Sequence, residues 1–192
     1  MIRALLFDCF GVLVDPVYES FWPKIPKRAV NQILVYNEAA DLGQIPDRER
    51  ERQVITALNS EGLNGQNEIA TAYAQSQRRS DLMDFILRAR AAGYKTAMLS
   101  NIADNIHKVF SEADIQKYFD DAILSYQVHL TKPQAEIYRL AAQRLHVKTN
   151  ECVFVDDKEA NVAAAEKVGM CGILYKNFTQ FHMELDKLLG ER

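Results

Sequence analysis

Residues 5–15 read LLFDCFGVLVD: an apolar run that stops on a carboxylate, Asp8, with Gly11 three positions later. A short apolar run bounded by polar residues suits a strand buried on both faces, as in a parallel sheet. The pattern recurs along the chain. RALLF (3–7), KTAML (95–99), DAILS (121–125), CVFV (152–155) and CGILY (171–175) all read as buried strands. Helical periodicity fills the gaps between them. SDLMDFILRARAAG (80–93) lines up Leu82, Phe85, Ile86 and Ala89 and stops at Gly93. PQAEIYRLAAQRLH (133–146) lines up Ile137, Leu140, Ala141 and Leu145 behind Pro133, a residue suited to a first helical turn. Further helices are expected over 159–168 and along a last segment carrying Phe178, Phe181, Leu185, Leu188 and Leu189. Strands alternating with helices of this length predict a doubly wound α/β fold with a parallel sheet of at least five strands.

The segment 16–79 breaks the alternation. It holds no convincing strand and three helical stretches, 28–41 (Val30, Ile33, Leu34 and Asn37 in line), 47–59 and 66–78. An inserted all-helical unit is expected there, with 1–15 and 80–192 forming the α/β core. DRERER (47–52) has mixed signs and helix-forming residues, and reads as a solvated helix face. The aromatic residues Tyr18, Phe21 and Trp22 either wall a pocket or pack the insert against the core.

Composition narrows the function classes. With 192 residues, 48% apolar and 26% charged, the chain can bury one sizeable core. A net charge of −3 offers no basic field for nucleic acid. No basic-then-apolar leader and no long apolar run are present, so neither secretion nor membrane insertion is expected. Three cysteines, Cys9, Cys152 and Cys171, lie in or beside strand-like runs with no paired spacing, which points to reduced thiols and a cytoplasmic protein. Cys9 is expected to turn into the core, because neighbours along a strand face opposite ways.

In an open parallel sheet, ligands bind beyond the carboxyl ends of the strands, so the residues that follow each apolar run are the informative ones. They are Asp8, then Ser100 and Asn101, then Lys132, then Asp156 and Asp157. Carboxylates that converge with a lysine and a hydroxyl suit a phosphorylated small molecule held with Mg²⁺. Each residue also has a structural reading. Asp8 before Gly11 makes a turn, Ser100 and Asn101 cap a helix near 103–111, Lys132 is a solvated loop charge, and the acidic pair favours the N-terminus of the next helix.

Asp8 followed by GVL, LSN at 99–101, KP at 132–133 and VFVDDKEANV at 153–162 together resemble the four motifs of the haloacid dehalogenase-like hydrolase superfamily, in order and over about 130 residues. The resemblance implies a Rossmann-like parallel sheet, with the helical insert as a small cap between the first two motifs. It implies Asp8 as a nucleophile that forms an aspartyl phosphate and Lys132 as the group that neutralises charge on nucleophile and phosphate. Ser100 would bind a phosphate oxygen and Asn101 would support the loop or contact substrate. Mg²⁺ would be held by Asp8, the Phe10 backbone oxygen and Asp157, with Asp156 as a direct or water-mediated ligand. Asn161 would orient Asp157 from one helical turn away. A small phosphorylated metabolite is the implied substrate, bound by a monomer or homodimer.

The chain departs from that pattern at Phe10, where the family's phosphatases carry the aspartate that serves as general acid and base. Phenylalanine keeps the backbone carbonyl and removes the proton relay, so slow turnover is expected. The family's dehalogenase branch also has an aromatic residue there and needs no metal, but does not carry an acidic pair like Asp156 and Asp157. A metal-independent 2-haloacid dehalogenase is therefore one alternative, and a non-catalytic or weakly active phosphate- or partner-binding relative is another. Gln127 stands where the family has an acid, the glycine near His129 is missing, and KPQAEIY replaces KPDPEIY. His129, which can transfer protons near neutral pH, is a candidate replacement acid.

Overall fold

The computed structural model describes residues 1–18 and 21–190. Glu19 and Ser20 of the expected insert, and Glu191 and Arg192 of the expected core, lie outside the described residues. The strands are β1 (Ala4–Phe7), β2 (Lys95–Ser100), β3 (Asp121–Leu124), β4 (Cys152–Asp156) and β5 (Cys171–Leu174). They form one sheet in the order β3-β2-β1-β4-β5, and every neighbouring pair is parallel. The helices are α1 (Lys27–Asp41), α2 (Asp47–Ser60), α3 (Gly65–Gln75), α4 (Ser80–Ala91), α5 (Glu112–Tyr118), α6 (Ser125–Val128), α7 (Ala135–Arg144), α8 (Glu159–Lys167) and α9 (Phe178–Leu189). No helix among the described residues is long and apolar enough to cross a membrane.

Alternation along β1 divides the interior into two layers. Ala4 and Leu6 pack with Ile137, Tyr138 and Ala141 of α7. Leu5 and Phe7 face the opposite side and pack with Leu82 and Ile86 of α4 and with Phe181 and Leu185 of α9. Cys9 continues that second series and is fully buried, as its place in the chain predicts. Four helices, α1–α4, lie between β1 and β2. The first three cover an apolar cluster of their own, built on Phe21, Ile33, Val54, Leu58 and Ile69, while α4 packs on the sheet.

The chain leaves and re-enters the α/β layer through one narrow place. Arg79 donates its N–H to the Leu13 carbonyl at 2.9 Å, and Asp15 donates to the Gln77 carbonyl at 3.1 Å. These bonds flank an antiparallel bridge between Val14 and Arg78. The same pairing explains why α3 stops at Gln75 and does not run on to 78: residues 76–79 are drawn out to meet 13–15.

Four local readings are corrected. Residues 103–111 hold only a 3₁₀ turn, Ile106–Lys108, because the Ser111–Asp114 capping box starts α5 at Glu112. Pro133 lies outside α7, which begins at Ala135 behind Gln134, and it follows Lys132 through a cis peptide. On α1 the buried stripe is Ala29, Ile33 and Ala40, with Leu34 48% exposed. DRERER is not a wholly solvated face: Asp47 and Arg50 are buried beneath it while Arg48 and Arg52 point outward.

Candidate active site

Parallel pairing brings the carboxyl ends of the strands to one edge, where Ser100 ends β2, Asp156 ends β4 and Asp8 follows β1. The Asp8 N–H donates to the Val155 carbonyl at 2.9 Å, which fixes the residue between β1 and β4. The chain then turns sharply through Gly11 at φ 92°, where a Cβ would fall on the Asp157 carboxylate. Only glycine lets the turn and the carboxylate share that space.

Lys132 stands at the centre. Its buried Nζ lies 2.7 Å from Asp8 Oδ1 and 2.7 Å from Asp156 Oδ2. Asn101 holds the lysine's backbone from both sides, accepting the Lys132 N–H at 2.7 Å and donating to the Lys132 carbonyl at 2.9 Å. Asp156, with no exposure, accepts further bonds from the Lys158 N–H at 2.8 Å and from Asn161 Nδ2 at 3.0 and 3.1 Å. Asn161 therefore orients Asp156, not Asp157 as its spacing suggested. Asp156 is the last residue of β4 and tucks under the first turn of α8.

Oxygens of Asp8, Asp156 and Asp157 all lie within 4.8 Å of one another, with one ammonium among them. Burial, reinforced by Asp156 and opposed by Lys132, pushes the Asp8 carboxyl up to about 6. Burial and then Asp156 raise Asp157 as well. Burial works against the Lys132 ammonium, but the two carboxylates outweigh it and hold its pKa above the ordinary lysine value. Three buried side-chain oxygens have no hydrogen-bond partner among the described residues, Asp157 Oδ1 and Ser100 Oγ on the floor and Asn105 Oδ1 beside Tyr73. Clustered hard oxygens with excess negative charge and an orphaned carboxylate oxygen fit a divalent cation, and an orphaned buried hydroxyl fits an anion's oxygen. The Phe10 carbonyl also takes no hydrogen bond among the described residues.

These groups floor a cavity of about 300 Å³. The sequence brings together there Asp8, Phe10, Ser100, Asn101, Lys132, Asp157 and Asn161, with Asp156 underneath. The helical insert supplies the roof, including Tyr18, Trp22, Leu34, Asn37, Asp41, Arg50 and Tyr73. Tyr18 and Trp22 thus wall the pocket, while Phe21, fully buried, packs inside the insert. The half-buried Phe10 ring touches the apolar cluster on the α4 and α9 side of the sheet and the cluster of the helical insert. His129 does not line the cavity; its Nδ1 donates to the Leu42 carbonyl just beyond α1 at 2.9 Å.

Sequence reasoning missed four of the lining side chains. Arg50 is buried with its Nε 2.7 Å from Asp47 Oδ1, its Nη2 against the same oxygen and its Nη1 3.3 Å from Asn37 Oδ1. Its guanidinium lies 5.3 Å from the centre of the Tyr18 ring. Asn105 Nδ2 donates to the Tyr73 hydroxyl at 2.8 Å. Asp41 ends α1 and faces the cavity with no hydrogen bond or ion pair among the described residues. The one available signal, and for Arg50 alone, was a charge run whose first and fourth members turn inward.

A family model described as haloacid dehalogenase-like hydrolase matches residues 2–169. The chain is 32% identical over 197 residues to the sesquiterpene phosphatase astK of Aspergillus oryzae, covering 98% of this chain and 97% of that protein. It is 29% identical over 131 residues to the rat bifunctional epoxide hydrolase 2, of whose length it spans 24%, against 64% of its own. The matched span of the mouse counterpart is 14% of that protein. An (S)-2-haloacid dehalogenase of Burkholderia cepacia is 22% identical over 185 residues, covering 88% of this chain and 80% of that protein. Among solved structures, a family enzyme of Bacteroides thetaiotaomicron in complex with magnesium and inorganic phosphate superposes with a TM-score of 0.69 at 22% identity, covering 92% of this chain and 95% of that one. That likeness establishes the shared fold.

Proposed function

Because the chain belongs to the haloacid dehalogenase-like hydrolase family, we propose that it is a Mg²⁺-dependent phosphatase that releases phosphate from a small phosphorylated metabolite through an aspartyl phosphate on Asp8. The observation that carries this reading is the excess of carboxylate over ammonium at the strand ends, beside an unpartnered Ser100 hydroxyl. Full-length similarity to a phosphatase supports it.

Lys132 and the Cys9 N–H both hold Asp8 Oδ1, leaving Oδ2 free to attack phosphorus. A bond forms from that oxygen to phosphorus as the ester P–O bond breaks, and water then attacks the same phosphorus and returns the Asp8 carboxylate. Ser100 Oγ donates to a phosphoryl oxygen, and Lys132 offsets charge on both partners. Asp8, Asp157 and the Phe10 carbonyl, with Asp156 beside them, would hold Mg²⁺, which would supply screening of the phosphoryl charge against the acidic floor. Phe10 supplies no proton, so esters with poor leaving groups react slowly unless another group provides one.

A 2-halo acid would bring one more carboxylate to a site that already holds three, an arrangement that raises the cost of ionisation without a cation. The test is phosphate release from a panel of phosphoesters in Mg²⁺ and in EDTA, beside chloride release from a 2-halo acid in EDTA. Release of phosphate only with Mg²⁺, reduced about 10³-fold or more in Asp8→Asn, is the expected result. Chloride release in EDTA without phosphate release would replace this reading with the dehalogenase one, and neither activity would leave a binding protein.

A further inference from the structure

The cavity needs a proton donor that Phe10 cannot supply, and the groups with exchangeable protons that line it outside the acidic floor include Tyr73, Lys158 and Asp41, beside an Arg50 guanidinium that stays charged and a Tyr18 ring packed among Phe21, Trp22 and Arg50. The Tyr73 hydroxyl already receives Asn105, and burial pushes its pKa up, which makes it a poor proton donor to the departing oxygen. Lys158 is exposed at the head of α8. Asp41 differs from both. It is the last residue of α1, the end of a helix where exposed carbonyls disfavour a negative charge, and its carboxyl has no partner among the described residues. Its place is also fixed from the other side of the cavity. His129, from the loop that follows β3 and α6, donates to the carbonyl of Leu42, the next residue, and so pins the end of α1 against the α/β layer.

We infer that Asp41 is the general acid and base of this site, carried by the cap in place of the core residue that Phe10 has displaced. This deepens the phosphatase reading and rests on it. As the Asp8–phosphorus bond forms and the ester P–O bond breaks, the Asp41 proton passes to the departing oxygen, which leaves as an alcohol. The resulting carboxylate then takes a proton from the water that attacks phosphorus, the Asp8–phosphorus bond breaks, and inorganic phosphate leaves with Asp41 protonated again. The protonation state suits both halves of that cycle. Burial pushes Asp41 up to about 7, with Lys158 opposing, Asp8 adding, Lys132 opposing and Asp47 adding. Asp157 and Arg50 complete the charged groups that share its cavity.

The test compares wild type with Asp41→Asn on an alkyl phosphate and on 4-nitrophenyl phosphate, whose leaving group needs little help. The alkyl rate should fall by about 10²–10⁴-fold and the aryl rate far less, and the limb of the alkyl pH–rate profile near pH 7 should disappear. Adding Phe10→Asp to Asp41→Asn should restore alkyl turnover. A readout independent of turnover follows from linkage. A carboxyl whose folded pKa is raised stabilises the fold only while protonated, so wild type loses stability as pH rises from about 4 to about 7. Asp41→Asn should lack that loss, and its advantage in urea unfolding should widen across the window and level off above it. Equal losses on both esters, or an unchanged pH limb in the folded variant, would overturn the assignment while leaving the phosphatase reading intact. A wild-type protein that releases phosphate from no ester would overturn both.

Discussion

On the sheet side of the cavity the charged groups are bound to one another: Lys132 pairs with Asp8 and Asp156, and Asp156 with Asn161 and the start of α8. On the helical side, Asp41 has no partner among the described residues, Arg50 holds Asp47 with a long contact to Asn37 and lies against the Tyr18 ring, and Leu34 stands 48% exposed. The contrast separates two tasks. A site for a charged reacting group must be arranged before the ligand arrives, because rearranging buried dipoles during reaction is costly. A surface that admits one substrate and sheds its product gains from side chains that are free to change partners.

Lys132→Met puts the greatest load on this contrast, since it leaves Asp8 and Asp156 buried without a countercharge. The expected loss is about 3–5 kcal/mol in urea unfolding at pH 8. The loss should shrink toward pH 5, because Asp8, already raised to about 6, takes up a proton in the folded state as pH falls through that value. A loss below about 1 kcal/mol at pH 8 would show that the floor is no more committed than the roof. Arg50→Met tests the roof. Asp47 keeps Lys108 at 2.9 Å, so the loss should be smaller, about 1–3 kcal/mol, and KM should rise while kcat holds. A collapse of kcat with unchanged KM would move Arg50 to the chemical side of the division. Asp114→Asn calibrates both from outside the cavity. Hydrogen bonds from Arg78 and Ser111 hold Asp114 down to about 2, so its contribution is present above the ordinary carboxylate pKa and lost as pH falls through about 2. The pair is exposed, and removing it should cost less than about 1 kcal/mol and less again in high salt.

The same contrast governs what could be read from the chain. All five strands were legible because a buried parallel strand is a short apolar run, and the floor was legible because Asp8, Ser100, Lys132 and Asp157 each follow such a run or the loop beyond it. The roof depends on how three helices rotate against one another. Periodicity placed Leu34 with Ile33, yet packing buried Ile33 and left Leu34 over the cavity. Arg50 was hidden in a run whose composition is that of a solvated helix, and no local rule says that its third turn-mate, Asp47, goes inward with it. Asn161 shows the same limit inside the floor: the four-residue spacing from Asp157 supposed a helical turn between them, but α8 starts only at Glu159, and Asp156 at the end of the strand receives the Asn161 amide instead.

The bridge between Val14 and Arg78 bears on how the chain folds as well as on how it is joined. β1 must find β2 across the whole insert, since Ala4 pairs with Lys95. The entropy of closing a loop grows as about (3/2)RT ln n, so the order of assembly matters. Once α1–α3 have collapsed on Phe21 and their shared apolar cluster, residues 14 and 78 are neighbours, and the stretch still to be closed is under a third as long. Early formation of the helical unit thus lowers the entropic cost of the first parallel pairing by about 1 kcal/mol. The element that roofs the cavity also serves as a splint for the central strand of the sheet.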